Sequence, residues 1–84
     1  MRFAYGYVMA DQPERVGEIA PVHATYWEAA SLDYYLGGPF ADRTGGLVTF
    51  EVETPELAEQ LASGDPFRRA GLLKSHWLKE WAVE

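Results

Sequence analysis

A hydrophobic period that switches from two residues to about 3.6 and back, twice over, narrows the folds open to this chain more than any single residue does. Over residues 2–9, Phe3, Tyr5, Tyr7 and Met9 alternate with Ala4, Gly6 and Val8, the spacing of a strand. Neither set is charged, so both faces of this strand are expected to be covered. The spacing then lengthens, and Val16, Ile19, Ala20, His23, Trp27 and Ala30 fall on one helical face. Asp11-Gln12-Pro13-Glu14 supplies the start, with Asp11 as cap, proline in the first turn and Glu14 placed for a capping box. Pro21 removes a backbone donor and its ring opposes the carbonyl of Gly17. Residues 13–31 are therefore predicted to form a kinked helix, or to break and restart at Pro21.

Tyr34-Tyr35-Leu36 leads a second strand into Gly37-Gly38-Pro39-Phe40, and Asp42-Arg43-Thr44-Gly45-Gly46 has the composition of a turn. Alternation resumes over residues 47–53, where Leu47, Thr49, Glu51 and Glu53 oppose Val48, Phe50 and Val52, so the two segments read as a hairpin. Thr54-Pro55-Glu56 opens a second helix with Thr54 as its cap; Leu57, Ala58, Leu61 and Ala62 form its buried stripe and Gly64 ends it. Asp65-Pro66-Phe67 begins one short helical turn closed by Gly71. A last strand over about residues 72–82 sets Ser75, Trp77, Lys79 and Trp81 against His76, Leu78 and Glu80. The order is βαββαβ in a single domain, residues 1–84. That is the ferredoxin-like α+β arrangement, an antiparallel four-stranded sheet with two helices on one face.

A domain of 84 residues draws only a thin stability margin from its own core. The chain has no cysteine, which rules out disulfides, thiolate zinc sites and thiol catalysis, and two histidines are too few for an imidazole metal site. Self-association is the remaining staple. Two helices cover one face of four strands, and a monomer would expose the other face with Trp77 and Trp81 as an apolar patch. A homodimer packed sheet to sheet is expected to bury it. The net charge of −6, with no basic stripe, argues against nucleic acid and anionic membranes as partners. No apolar run approaches the roughly 20 residues that span a bilayer, and the opening residues alternate like a strand rather than a secretion signal. A soluble, cytoplasmic protein is expected.

Three features could carry chemistry. His23 lies four residues from both Ile19 and Trp27, so it faces inward on an apolar stripe and needs a partner for its ring. It is either a core histidine bonded to a backbone carbonyl or a general base, since an unperturbed imidazole titrates near neutrality. Asp65 before Pro66 reads as a helix cap, yet from the neighbouring helix it could reach a histidine, fix its tautomer and stabilise the protonated ring. Gly37-Gly38-Pro39 marks either a bulge or a place where backbone meets a ligand, and Arg43 in the adjacent turn could attract an anionic substrate. The chain contains no Walker A sequence, no GxGxxG and no cluster of metal ligands, so neither cofactor nor metal is expected.

Taken in order, Arg15, Pro21-x-His23, Tyr26-Trp27, Leu36-Gly37-Gly38-Pro39, Asp65-Pro66-Phe67 and Ala70-Gly71-Leu72 resemble the pattern of the YciI-like, or YCII-related, family of small bacterial proteins, over essentially the whole chain. The resemblance implies a dimeric α+β barrel and a histidine–aspartate dyad, here His23 and Asp65. The best-understood activity in the wider group is a dehydrochlorination in the breakdown of chlorinated aromatics. The resemblance therefore implies an enzyme that performs general acid/base chemistry (elimination, isomerisation or hydrolysis) on a small, aromatic or carboxylated substrate; Gly37, Gly38, Pro39, Trp27 and Arg43 are the residues expected to hold that substrate. The alternative is a non-catalytic, ligand-binding or accessory domain in which the dyad only satisfies buried polarity.

Overall fold

The computed structural model describes residues 1–84. Its elements are β1 (Arg2–Met9), α1 (Pro13–Ala29), β2 (Asp33–Pro39), β3 (Gly45–Glu51), α2 (Pro55–Ser63), α3 (Pro66–Arg69) and β4 (Leu73–Glu80). The βαββαβ order holds, with α3 as a short added turn. All strand pairs are antiparallel and the sheet runs β2-β3-β1-β4, so β1 and β3 lie at its centre and β2 with β3 forms the expected hairpin. This is the ferredoxin-like α+β fold.

Strand register decides which residues meet the helices. Phe3 lies opposite Phe50, and Tyr5 opposite Val48. Together with Tyr7 they share one core with Trp27 of α1, Ala58 and Ala62 of α2, Phe67 of α3, and Leu72. Trp27 packs between Tyr5, at 5.7 Å, and Phe50, at 5.6 Å. Alternation on β1 therefore carries directly into packing: odd-numbered rings go under the helices, and even-numbered residues face away.

The helix starts differ from one another. Thr54 caps α2 by accepting the Leu57 N–H at 3.2 Å, as its sequence predicts. Asp11 does not cap α1: the N-cap is Gln12, without a side-chain hydrogen bond, so the anticipated capping box is absent. Nor does Pro21 break α1, which runs through it as one helix. Pro21 and Gly17 both lie on the exposed side, where water can satisfy the carbonyl that proline leaves unpaired.

The face away from the helices carries Val8, Leu36 and Trp77, which are 37%, 74% and 44% exposed. Trp77 pairs with Gly6 across β1 and β4, and its indole fills the space where a Cβ on Gly6 would stand. The accessible surface is 5440 Å², compared with roughly 5000 Å² for a compact monomer of this mass. The excess matches a sheet with one uncovered side.

Candidate active site

Three elements converge beneath α1. His23 projects from the middle of that helix, Asp65 stands at the N-cap of α3, and Tyr5 and Tyr7 rise from β1. His23 Nδ1 lies 2.6 Å from Asp65 Oδ1. The same oxygen accepts the Phe67 N–H at 3.1 Å, and Oδ2 accepts the Tyr5 hydroxyl at 2.8 Å. Asp65 is fully buried, and three donors converging on one carboxylate explain how that burial is tolerated. Both sequence readings of this residue therefore hold at once. It caps a helix, and it binds the imidazole.

The hydrogen-bond roles follow from this geometry. Because a carboxylate can only accept, Nδ1 carries a proton, and in the neutral imidazole Nε2 keeps its lone pair. Nε2 lies 3.2 Å from the Tyr7 hydroxyl, which donates to it in that form of the ring. Phe67 stacks on the imidazole at 4.3 Å and 24°, and Tyr7 meets it edge-on at 5.3 Å. The ring is thus fixed by two hydrogen bonds and a flat apolar contact, with 12% of its side chain still accessible.

Burial, followed by the negative charge of Asp65, pushes the Tyr7 phenol up to about 12. The same two causes, in the same order, hold Tyr5 well above the ordinary tyrosine range. Both hydroxyls stay protonated at neutral pH and can act as donors.

A cavity of about 320 Å³ opens beside the dyad, lined by His23, Tyr7, Phe67, Tyr35, Glu28 and Val48 among others. Gly37, Gly38, Pro39 and Arg43 also line it, so four of the five residues expected to contact substrate share the cavity with His23. Trp27 does not. It is fully buried in the core, where it supports the site from below rather than facing a ligand. The glycine pair forms no bulge: Gly37 and Gly38 pair in register with Val48 and Leu47, and the irregularity in β2 falls between Asp33 and Leu36, around Tyr34 with φ of 52°. A larger space of about 770 Å³ between α1 and α3 is an open surface depression containing neither dyad residue.

Arg43 and Glu28 form no ion pair, which leaves one charge of each sign free at the cavity wall. Burial and the Glu28 charge raise the Tyr35 phenol. No three His, Asp or Glu side chains are grouped so that they could hold a metal ion, and no helix is long and apolar enough to cross a membrane. Sequence reasoning missed Tyr5, Tyr7, Phe67 and Glu28 as parts of the site. The available signal was two tyrosines on a buried strand face, because each buried hydroxyl requires a partner.

Comparison with known proteins bears on the family and the fold. The family model for the YCII-related domain matches residues 3–82. Among solved structures, a 5-chloro-2-hydroxyhydroquinone dehydrochlorinase from Burkholderia phenoliruptrix, in complex with 2,5-dihydroxybenzoquinone, superposes with a TM-score of 0.85 at 21% identity. The alignment covers 100% of this chain and 96% of that one. No curated protein matches the sequence.

Proposed function

Since the chain belongs to the YCII-related domain family, we propose that it is a small-molecule enzyme in which His23 is the general base and Asp65 stabilises the protonated imidazole. One observation carries this reading: a buried aspartate holds Nδ1 at 2.6 Å while the ring borders a cavity large enough for a single aromatic ring. Asp65 fixes the tautomer that leaves Nε2 basic, and it offsets the positive charge that develops when Nε2 takes a proton. Aromatic and apolar walls suit a planar ring, and the free Arg43 suits an anionic substituent. Removing a proton from a ring hydroxyl lets the ring ketonise as the chlorinated carbon takes up a proton, which by itself is an isomerisation; loss of a second hydroxyl proton then expels chloride from that carbon, so that HCl leaves overall and no oxidant is needed. Two copies joined through their open sheet faces would complete the working molecule.

The structural relative's reaction suggests the first probe, 5-chloro-2-hydroxyhydroquinone. We expect His23→Gln to retain the fold, read by its melting curve, and to lose about 10²–10⁴-fold in turnover, the usual contribution of a positioned base. Turnover equal to the wild type would sink the assignment. Asp65→Asn is a less clean test, because an amide cannot accept from all three donors and would also loosen α3.

That second duty of Asp65 supports the alternative, a ligand-binding domain whose dyad is structural. Binding of 2,5-dihydroxybenzoquinone by calorimetry, without turnover of any chlorinated hydroquinone, is the result that reading expects.

A further inference from the structure

Both nitrogens of His23 are already engaged. Nδ1 is bound to Asp65, and Nε2, the basic one, receives the Tyr7 hydroxyl at 3.2 Å. A molecule in the cavity therefore finds no free lone pair on the imidazole. Tyr7 has little room to step aside. It is 4% exposed, and its ring sits among His23, Tyr5 and Phe67 at 5.3, 5.7 and 5.9 Å. Its hydroxyl occupies the space that a Cβ on Gly46 would fill. Yet Tyr7 lines the cavity alongside His23.

Resting on the reading of His23 as the base, we propose that Tyr7 is its proton relay, and that the group a bound molecule meets is the phenol oxygen rather than the imidazole. The bond from the molecule to its acidic hydrogen breaks as a new O–H bond forms on Tyr7. The original Tyr7 O–H bond breaks as Nε2–H forms. The electron pair stays on the bound molecule, no oxidant or reductant is required, and Asp65 balances the imidazolium. Reversal of the same two transfers returns the proton to product or solvent. Because burial and Asp65 hold the phenol up to about 12, Tyr7 rests as a phenol and conducts a proton without storing charge.

Acylation by diethyl pyrocarbonate, an electrophile that a free imidazole lone pair attacks, tests the arrangement without a substrate. The chain has two histidines, and the exposed His76 serves as internal reference. Tyr7→Phe keeps the ring and its packing while freeing Nε2. We expect His23 acylation to rise about tenfold, the equivalent of one net hydrogen bond, with His76 unchanged. With 5-chloro-2-hydroxyhydroquinone as probe, the same variant should lose about 10²-fold or more in kcat with little change in KM. An unchanged acylation rate overturns the proposal, and so does faster acylation with undiminished kcat. A Tyr7→Phe enzyme that works beside a dead His23→Gln enzyme removes the relay alone. A His23→Gln enzyme as fast as the wild type removes the base, and the relay with it.

Discussion

At the scale of single residues, the site is a chain of hydroxyl, imidazole and carboxylate whose members differ in how visible they were. The helical spacing of His23 and the Asp-Pro-Phe turn at Asp65 can be read along the sequence. Their meeting can only be anticipated, because it depends on how α1 crosses the start of α3. Tyr5 and Tyr7 were legible as buried rings but not as partners of Asp65 and His23, since alternation reports a face and says nothing of what lies across it. Trp27 shows the same limit in the other direction. One turn along from His23, it points inward just as surely, but it goes under the sheet's central rings instead of opening on the cavity. The tyrosines also set an alkaline limit to stability. The Tyr7 phenol is raised from 10.0 to about 12 in the folded state. Below pH 10 both folded and unfolded chains keep the proton, so this contribution is present in full. Above it the unfolded chain ionises first, and stability is lost as the pH climbs towards 12. Denaturation midpoints measured across that window should fall steadily. A flat midpoint between pH 10 and 12 contradicts the buried network.

Among the elements, local chemistry predicted the second helix better than the first. Thr54 and Pro55 are enough to start α2, and the Thr54 hydroxyl receives the Leu57 N–H as its type and position imply. Thr54→Ala should lower stability by about 1 kcal/mol, measured by urea titration, and an unchanged midpoint would mean that tertiary packing alone fixes that helix end. α1 has an uncapped start and an internal proline, and by propensity it should fragment. It persists because Val16, Ile19, His23, Tyr26 and Trp27 anchor one side of it, while the proline's defect faces solvent. Packing of an amphipathic face outweighs a lost hydrogen bond. The Tyr26 hydroxyl adds a tie by donating to the Leu61 carbonyl at 2.8 Å, across a gap that only Gly64 leaves wide enough. In β2 the paired glycines looked like the irregular point. The actual irregularity lies earlier, around Tyr34 with its positive φ: Asp33 already pairs with Glu51, and the register shifts before Leu36 meets Thr49.

On the scale of the whole molecule, 15 of the 84 residues are buried, and the single subunit leaves large hydrophobic side chains such as Leu36, Trp77 and Trp81 exposed. The order of elements was legible because each change of period is bounded by proline, glycine or a capping residue. A second subunit is an expectation argued from the uncovered face alone. Trp77→Glu places a charge on that face, on the side of the sheet away from the helices and the dyad. If two copies join there, sedimentation at micromolar concentration should show the wild type at twice the subunit mass and the variant at the subunit mass, with the core tyrosines still folded. A wild type sedimenting as one subunit would end the proposal. Gly6 gives the same face its relief. Where every other amino acid would raise at least a methyl group, the backbone dips and the indole beds into the hollow. A second sheet would then settle on a levelled floor, and the smallest residue of the central strand would set how near two copies can come.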